Sequence, residues 1–470
     1  MTVPRLHTLP NVRLSKVSRD AGSNSLQIGQ DSIGRRIGYW RVPKADGAYK
    51  WTVLLRVPLV LTSSGAPWEE ACLWLLNRAQ ANPTGIAGLG TNARALRDYL
   101  EHLEGLCLDW RDFSSANKNT RPTYVYRTHL LRLVNSGSLA SSTASGRMSS
   151  VILFYRFLQT DVRMRFTPDH PPWNEKDVTI ALMDSKGRRQ LRTVASTDLA
   201  IREKNRDDPF LESIMDGGKL RPLARDEQKA LVAALKKIGN QEYFLMHCVA
   251  LLTGAREMTA LTLPWGIFAK MPCEISWPLK IRCGPGTGID TKNNATNVWL
   301  SIPQWLYMKL HMYAISGRAE RRRARSKKRE DPSNYLFLTS HGGPYYECKD
   351  DVEMLRASTV SLKKSSPIGQ NLREFIKLRV IPEVQKTLPN FTYRYHDLRA
   401  TFGLNWVDST MGESASPEKF SWARDQLRKL LWHKSAETTD RYLTYRGKIR
   451  AVEEAQRGWE KYLTELADGR

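Results

Sequence analysis

At 470 residues and 41% hydrophobic composition the chain is long enough for two or three ordinary cores and too apolar to be disordered throughout. Its 72 lysines and arginines stand against 48 acidic residues, a net charge of +24 that favours an extended polyanion, nucleic acid first, as partner. A membrane role is excluded on length, since the most apolar run, "TVLLRVPLVLT", is short and is broken by Arg56 and Pro58.

In chain order, residues 1 to about 35 are polar and aperiodic and read as a flexible arm without the apolar stretch of a signal peptide, which points to the cytoplasm. "RRIGYWRVP" and "YKWTVLLRVPLVLT" read as strands around the turn "KADGA", and "APWEEACLWLLNRAQ" as a short helix, so residues 1–85 form an N-terminal extension with a small strand-containing unit. After the break "NPTG", helical patterns at "TNARALRDYLEHLEGL", "PTYVYRTHLLRLVN" and "STASGRMSSVILFYRFL" define a helical domain over 86–175; the last carries Val151, Tyr155 and Leu158 at i, i+4, i+7.

Within that domain "ANKNTRPTYVYRTHLLRLVN" holds Lys118, Arg121, Arg127 and Arg132 without a carboxylate. Such a face is either simply solvated or set against phosphates, where cations and helix-end N–H groups both help. Residues 176–222 mix Gly, Pro, Asp and Lys and read as a linker, and "LARDEQKALVAALKKI" then opens a second large domain over 223–470. The run Arg318 to Glu330 has eight basic and two acidic residues; it reads as a solvated helix or loop, or as a source of salt-sensitive affinity beside a DNA groove. The six cysteines show no CxxC pair and no metal-ligand spacing with the nine histidines, so reduced structural thiols and no metal site are expected.

Three motifs in the second region bear on chemistry. In "LLTGAREMTALTLPW" an apolar helix ends at Gly254 and Arg256 starts the next; alone it reads as a surface charge, though a guanidinium fork there also matches two phosphate oxygens. In "YRYHDLRATFGLNW", His396 and Arg399 share one helix face while Leu398 and Phe402 point to a core. In "LLWHKSAETTDRYLTYRGK", Leu427, Leu430 and Leu431 complete an amphipathic helix, His433 follows, Ser435 can cap a new helix, and Tyr442 comes nine residues after His433.

In this order and spacing the motifs resemble the tyrosine recombinase (phage integrase) family. That family is recognised by an arginine in a "TGxR" turn, an "HxxR" helix, a histidine with the nucleophilic tyrosine nine residues later, and a hairpin lysine between the first two. The counterparts are Arg256, His396 with Arg399, His433 with Tyr442, and Lys292 in "DTKNNATNVWLSIP". By that spacing Tyr442 is the nucleophile and Tyr445 the bystander. Two positions depart from the pattern: Trp432 stands where the family has glycine, and Thr259 where it places a carboxylate, with Glu257 a substitute only if the helix register shifts, so no acidic residue is assigned to the site.

The resemblance implies a mostly α protein with a small β-sheet in the catalytic domain (α+β), a helical core-binding (SAM-like) domain, and a C-shaped clamp around double-stranded DNA. It implies a site-specific recombinase or integrase that cuts and rejoins strands through a 3′-phosphotyrosine link, serving integration or excision of a mobile element without cofactor or metal, on the prokaryotic nucleoid. Arg256, Arg399 and His433 would hold the phosphate, His396 would act as base and Lys292 as acid. A type IB topoisomerase and a non-cleaving DNA-binding regulator share the fold and are the alternatives. Val452, Ala455, Trp459, Tyr462 and Leu466 form an apolar stripe in the tail, packed either on their own domain or on the next copy of a homo-oligomer, a tetramer at synapsis.

Overall fold

The computed structural model describes residues 5–14, 17–18, 27–30, 36–41, 52–81, 86–183, 189–201, 213–357, 367–411 and 417–468. The chain divides into two compact units, Met1–Arg206 with Met354–Ser365, and Asp207–Glu353 with Ser366–Arg470. The described residues are mostly helical with small antiparallel sheets, the α+β class expected.

In the first unit β1 (Leu6–Leu14) pairs antiparallel with β5 (Thr52–Val60), Leu6 opposite Val60 and Leu14 opposite Thr52. The first part of the expected flexible arm is therefore a strand. Its Leu6, Val12 and Leu14 rest on the core, yet they are too sparse for a period-two signal, and the partner lies some fifty residues away. Between them β2 (Val17–Ser18), β3 (Gln27–Gln30) and β4 (Arg36–Arg41) make a sheet in the order β2–β4–β3, so β4 and β5, both expected as strands, belong to different sheets. The turn "KADGA" lies outside the described residues.

Helices α1 (Glu69–Ala81), α2 (Ile86–Gly105), α3 (Pro122–Asn135) and α4 (Ser141–Thr160) follow the expected segments closely. Pro122 fits the first turn of α3, where a missing N–H costs nothing and the fixed φ suits the helix. Val151, Tyr155 and Leu158 of α4 are fully buried, and with Leu54, Trp68, Trp74 and Tyr99 they form one core shared by strands and helices. The segment that reads as linker carries the hairpin β6 (Glu175–Met183) and β7 (Arg189–Thr197).

The second unit opens on a minimal hairpin, β8 (Ile214–Met215) and β9 (Lys219–Leu220). Helix α5 (Arg225–Ile238) starts where Glu227 accepts the Ala224 N–H and stops at Gly239, in the left-handed conformation at φ 71°. Helix α6 (Gln241–Thr253) is the central rod, with Leu245, Met246, Val249 and Ala250 buried, and α7 (Glu257–Leu261) follows it. Strands β10 (Leu279–Cys283) and β11 (Val298–Ile302) pair with Ile281 opposite Leu300, both inward, and the connection between them carries Lys292.

Then come α8 (Gln304–Ala314), α9 (Gly317–Ala324), α10 (Lys349–Ala357), α11 (Gln370–Phe375) and α12 (Ile381–Gln385). The last three are α13 (Asp397–Met411), α14 (Pro417–Leu430) and α15 (Ala436–Ala467). A second core of Ile214, Leu220, Val407, Leu427, Leu431 and Leu443 surrounds Tyr442 and so draws the β8–β9 hairpin, α13, α14 and α15 to one place. Beyond Arg450 every described residue of α15 is exposed, Trp459 by 62% and Leu466 by 61%, so the tail's apolar stripe does not lie on its own unit. No helix among the described residues is long and apolar enough to cross a membrane.

Candidate active site

The sequence-predicted residues of the second unit converge. Helix α6 ends at Gly254 with φ 67°, where a side chain would meet Leu431 and Phe402 at 2.6 Å, and this tight turn sets Arg256 at the N-cap of α7. His396 and Arg399 sit at the start of α13. Gly403, one turn further, leaves room for the Tyr442 ring, since a Cβ there would lie 2.5 Å from the ring's Cε1. His433 occupies the turn between α14 and α15, and Tyr442 sits on the second turn of α15 with no exposed surface.

Their polar atoms meet on one carboxylate that the sequence does not single out, Asp216 at the tip of the β8–β9 hairpin. Arg399 Nε donates to its Oδ2 at 2.8 Å, His433 Nε2 and the Tyr442 hydroxyl reach the same oxygen at 3.1 Å each, and Arg256 Nη2 reaches Oδ1 at 3.4 Å. His396 lies against the Asp216 backbone. A Cβ added to Gly217 would collide with the Lys292 ammonium, so Lys292 faces the same tip. The only available signal for this arrangement is "DGG", a hairpin-turn pattern inside a segment that otherwise reads as linker.

Electrostatics follow from burial among cations. Burial pushes the Asp216 carboxyl up, but the His433 hydrogen bond and the Arg399 charge outweigh it and hold the group well below the carboxylate range. Burial and then the Arg399 charge lower Arg256 to about 10. Burial and Arg399 also lower His396 to about 4, so it is neutral and able to accept a proton at pH 7. Burial raises the Tyr442 hydroxyl, and the Asp216 charge raises it further.

His433 is pulled down by burial as well, with Asp216 opposing. Because Asp216 is ionised and accepts, His433 must carry its proton on Nε2. Nδ1 then accepts from the Thr439 hydroxyl at 2.9 Å, and Thr439, fully buried, fixes the tautomer. Arg256 Nε is buried with no hydrogen-bond partner among the described residues.

Trp432 takes the conformation that glycine would. Its φ is 53°, its N–H bonds the Lys429 carbonyl at 3.2 Å and the His433 N–H bonds Arg428 at 3.0 Å, the paired pattern of a left-handed helix end. The indole Nε1 donates to Trp299 of β11 at 3.0 Å, tying the His433 turn to the sheet whose connection holds Lys292. Trp432→Gly is therefore expected to be more stable than Trp432→Ala by about 1 kcal/mol in urea unfolding, because both lose the indole but only alanine keeps the left-handed strain. An alanine variant as stable as the glycine one would contradict this.

Thr259 is buried and donates to the Asp290 carbonyl at 2.8 Å, Glu257 pairs with Arg373 at 3.0 Å, and the carboxylate that meets Arg256 and Arg399 is Asp216. The basic run from Arg318 begins on α9 and is mostly exposed, as a solvated helix would be, but three of its arginines are held by the fold. Arg318 and Arg322 pair with the fully buried Glu242, and Arg323, 5% exposed, bonds the Ala314 carbonyl and lies 4.1 Å from the Trp265 ring.

In the first unit Arg121 is buried and gives its guanidinium to the carbonyls of Ser115, Ala116 and Pro171 at 2.9 to 3.1 Å. Lys118 is exposed and pairs with Asp198 at 3.4 Å, and Arg127 is half-buried on α3. In the second unit a cleft of about 1470 Å³ opens beside Asp216, lined by Lys280, Lys292, Arg428, Lys429, Lys434 and Arg441 against one further carboxylate, Asp425. No group of histidine, cysteine and carboxylate side chains that could hold a metal occurs among the described residues.

Among solved structures the chain is similar to the Tn1549 transposon integrase in complex with a circular intermediate DNA, at 13% identity over 83% of this chain and 98% of that one, TM-score 0.43. It is similar to the same integrase in complex with transposon right end DNA, at 14% identity over 82% and 98%, TM-score 0.41. The XerA recombinase is matched at 13% identity over 80% and 91%, TM-score 0.28. No family model and no curated protein matches the chain. At such identities the chemistry has to be read from the residues of the site.

Proposed function

We propose that the chain is a tyrosine-type site-specific DNA recombinase that cuts and rejoins strands through a 3′-phosphotyrosine intermediate. The observation that carries this reading is the convergence of Arg256, Arg399 and His433 on one anion slot within hydrogen-bond reach of the Tyr442 hydroxyl. A phosphodiester seated where the Asp216 carboxylate lies would receive the same donors, and the unpartnered Arg256 Nε would find an oxygen.

The chemistry then follows from charge. The Tyr442 oxygen attacks phosphorus, the phenolic proton passes to neutral His396, and the bond to the 5′ oxygen breaks. Lys292 protonates that leaving oxygen, and a 5′ hydroxyl from a second duplex reverses the steps to reseal. Negative charge on the non-bridging oxygens grows in the pentavalent transition state, where the fixed guanidinium groups hold it most strongly. The basic cleft beside the slot suits the flanking phosphates, with Lys118 and Arg127 contributing contacts from the first unit while Arg121 holds its fold. The exposed stripe of α15 is offered to a second copy, as assembly of a synaptic tetramer requires.

The test needs no known target site. The full chain is mixed with a randomised pool of nicked duplexes in which cleavage releases a short 5′-hydroxyl fragment, and the mixture is denatured. A protein–DNA band that survives denaturation is expected; tight, salt-sensitive binding without any such band would replace the reading with that of a non-cleaving DNA-binding protein.

A further inference from the structure

We propose that Asp216 is an internal occupant of the phosphate slot, a carboxylate that stands in for the scissile phosphate and must be displaced when DNA enters. This rests on the reading of the slot as a phosphodiester site. The donors meet at one point: Asp216 Oδ2 lies 3.1 Å from the Tyr442 hydroxyl, 2.8 Å from Arg399 Nε and 3.1 Å from His433 Nε2, which is where a phosphate oxygen within reach of both nucleophile and clamp would lie. Two anions at that spacing repel strongly in a buried setting.

The hairpin is built to present this carboxylate and to release it. Ile214 and Leu220, 1% and 2% exposed, anchor its two strands in the core around Tyr442, and Arg441 holds the Met215 carbonyl at 3.0 Å. Between the anchors come Gly217 and Gly218 at φ 72° and 156°, conformations open to glycine and unfavourable to other residues. Space around Gly218 is open, so the tip can re-aim Asp216 while both anchors stay. The occupant is also imperfect. A carboxylate has two oxygens, and Arg256, at 3.4 Å, is the most distant donor and keeps its Nε unpartnered. A tetrahedral oxyanion fits the same donors more completely, so DNA can win the exchange.

An internal competitor reduces apparent affinity by the fraction of time the slot is filled. Two variants of the full chain test this: Asp216→Asn, which keeps the shape and removes the charge, and Asp216→Ala. Inorganic phosphate titrated at constant ionic strength, read by thermal shift, should bind both variants about tenfold or more tighter than wild type. Covalent capture on the nicked pool, normalised to bound protein, should rise in the same variants. In the wild-type chain, amide exchange across residues 214–220 should speed up on binding DNA, a readout that survives if a variant fails to fold.

Phosphate affinity equal in variant and wild type, capture that falls in both variants, or a hairpin that becomes more protected on DNA would overturn the proposal and make Asp216 a positioning residue of the assembled site. Tighter phosphate binding with no capture by any protein would keep the occupant and remove strand cleavage. Capture by wild type with unchanged phosphate affinity would do the reverse.

Discussion

Tyr442→Phe is expected to bind duplex DNA as wild type does and to lose covalent capture by roughly 10⁴-fold or more, because among the described residues Tyr442 is the hydroxyl that bonds Asp216 in the slot. Stability should change by only about 1 kcal/mol, since Asp216 keeps Arg399, His433 and Arg256 when the phenol is removed. Tyr445→Phe is the contrast. Tyr445 packs at the margin of the same core, one turn along α15, and its variant should be captured at nearly the wild-type rate. A captured band in the phenylalanine variant at position 442, lost in the one at 445, would reassign the nucleophile.

Arg399 carries the second large effect, on activity and fold together. It is 1% exposed; Nη1 donates to the Gly254 carbonyl at 2.7 Å, Nη2 to the Leu431 carbonyl and Nε to Asp216, so one guanidinium joins the ends of α6 and α14 to the hairpin. Arg399→Ala leaves a buried carboxylate short of its main partner and two carbonyls unpaired, and should cost about 3 to 5 kcal/mol in denaturant unfolding. Arg399→Lys keeps the charge but not the planar fork. It should recover part of that stability while capture stays down by about 100-fold or more, because a point charge cannot hold two carbonyls and a phosphate oxygen at once. A lysine variant with both stability and capture restored would show that charge alone suffices at this position.

The residues that meet at Asp216 were legible through the order and spacing of their motifs, which resemble a family pattern, and not singly, since Arg256 alone reads as a surface charge; the helix boundaries that carry them are visible in the sequence. Gly254 ends an apolar helix just before Arg256, Ser435 caps α15 before Tyr442, and the Leu427–Leu431 pattern stops at His433. Asp216 was not legible, because strands of two residues carry no periodicity and its partners lie 40 to 226 residues along the chain. The same applies to β1, whose partner strand is remote, and to the pairing of Arg318 and Arg322 with Glu242 inside a run that is otherwise mostly exposed, as it reads in the sequence. A fully buried glutamate on the otherwise apolar α6 was the available hint that cations from elsewhere must come to it. Trp432 shows the converse: the left-handed turn that glycine usually supplies is present, held by an indole that reaches across to β11.

If Tyr442 attacks DNA, the covalent link lies on its oxygen, and mapping that link is the most direct measurement. Complexes captured from the nicked pool are digested with trypsin and nuclease, and the nucleotide adduct is located by fragment-ion mass spectrometry in the segment Tyr442–Arg446, which contains both tyrosines. The arrangement around Asp216 predicts the adduct on Tyr442 alone, and the proposed 3′-phosphotyrosine intermediate places it on the 3′ side of the break. An adduct on Tyr445, on any other side chain, or on the 5′ side of the break would contradict it.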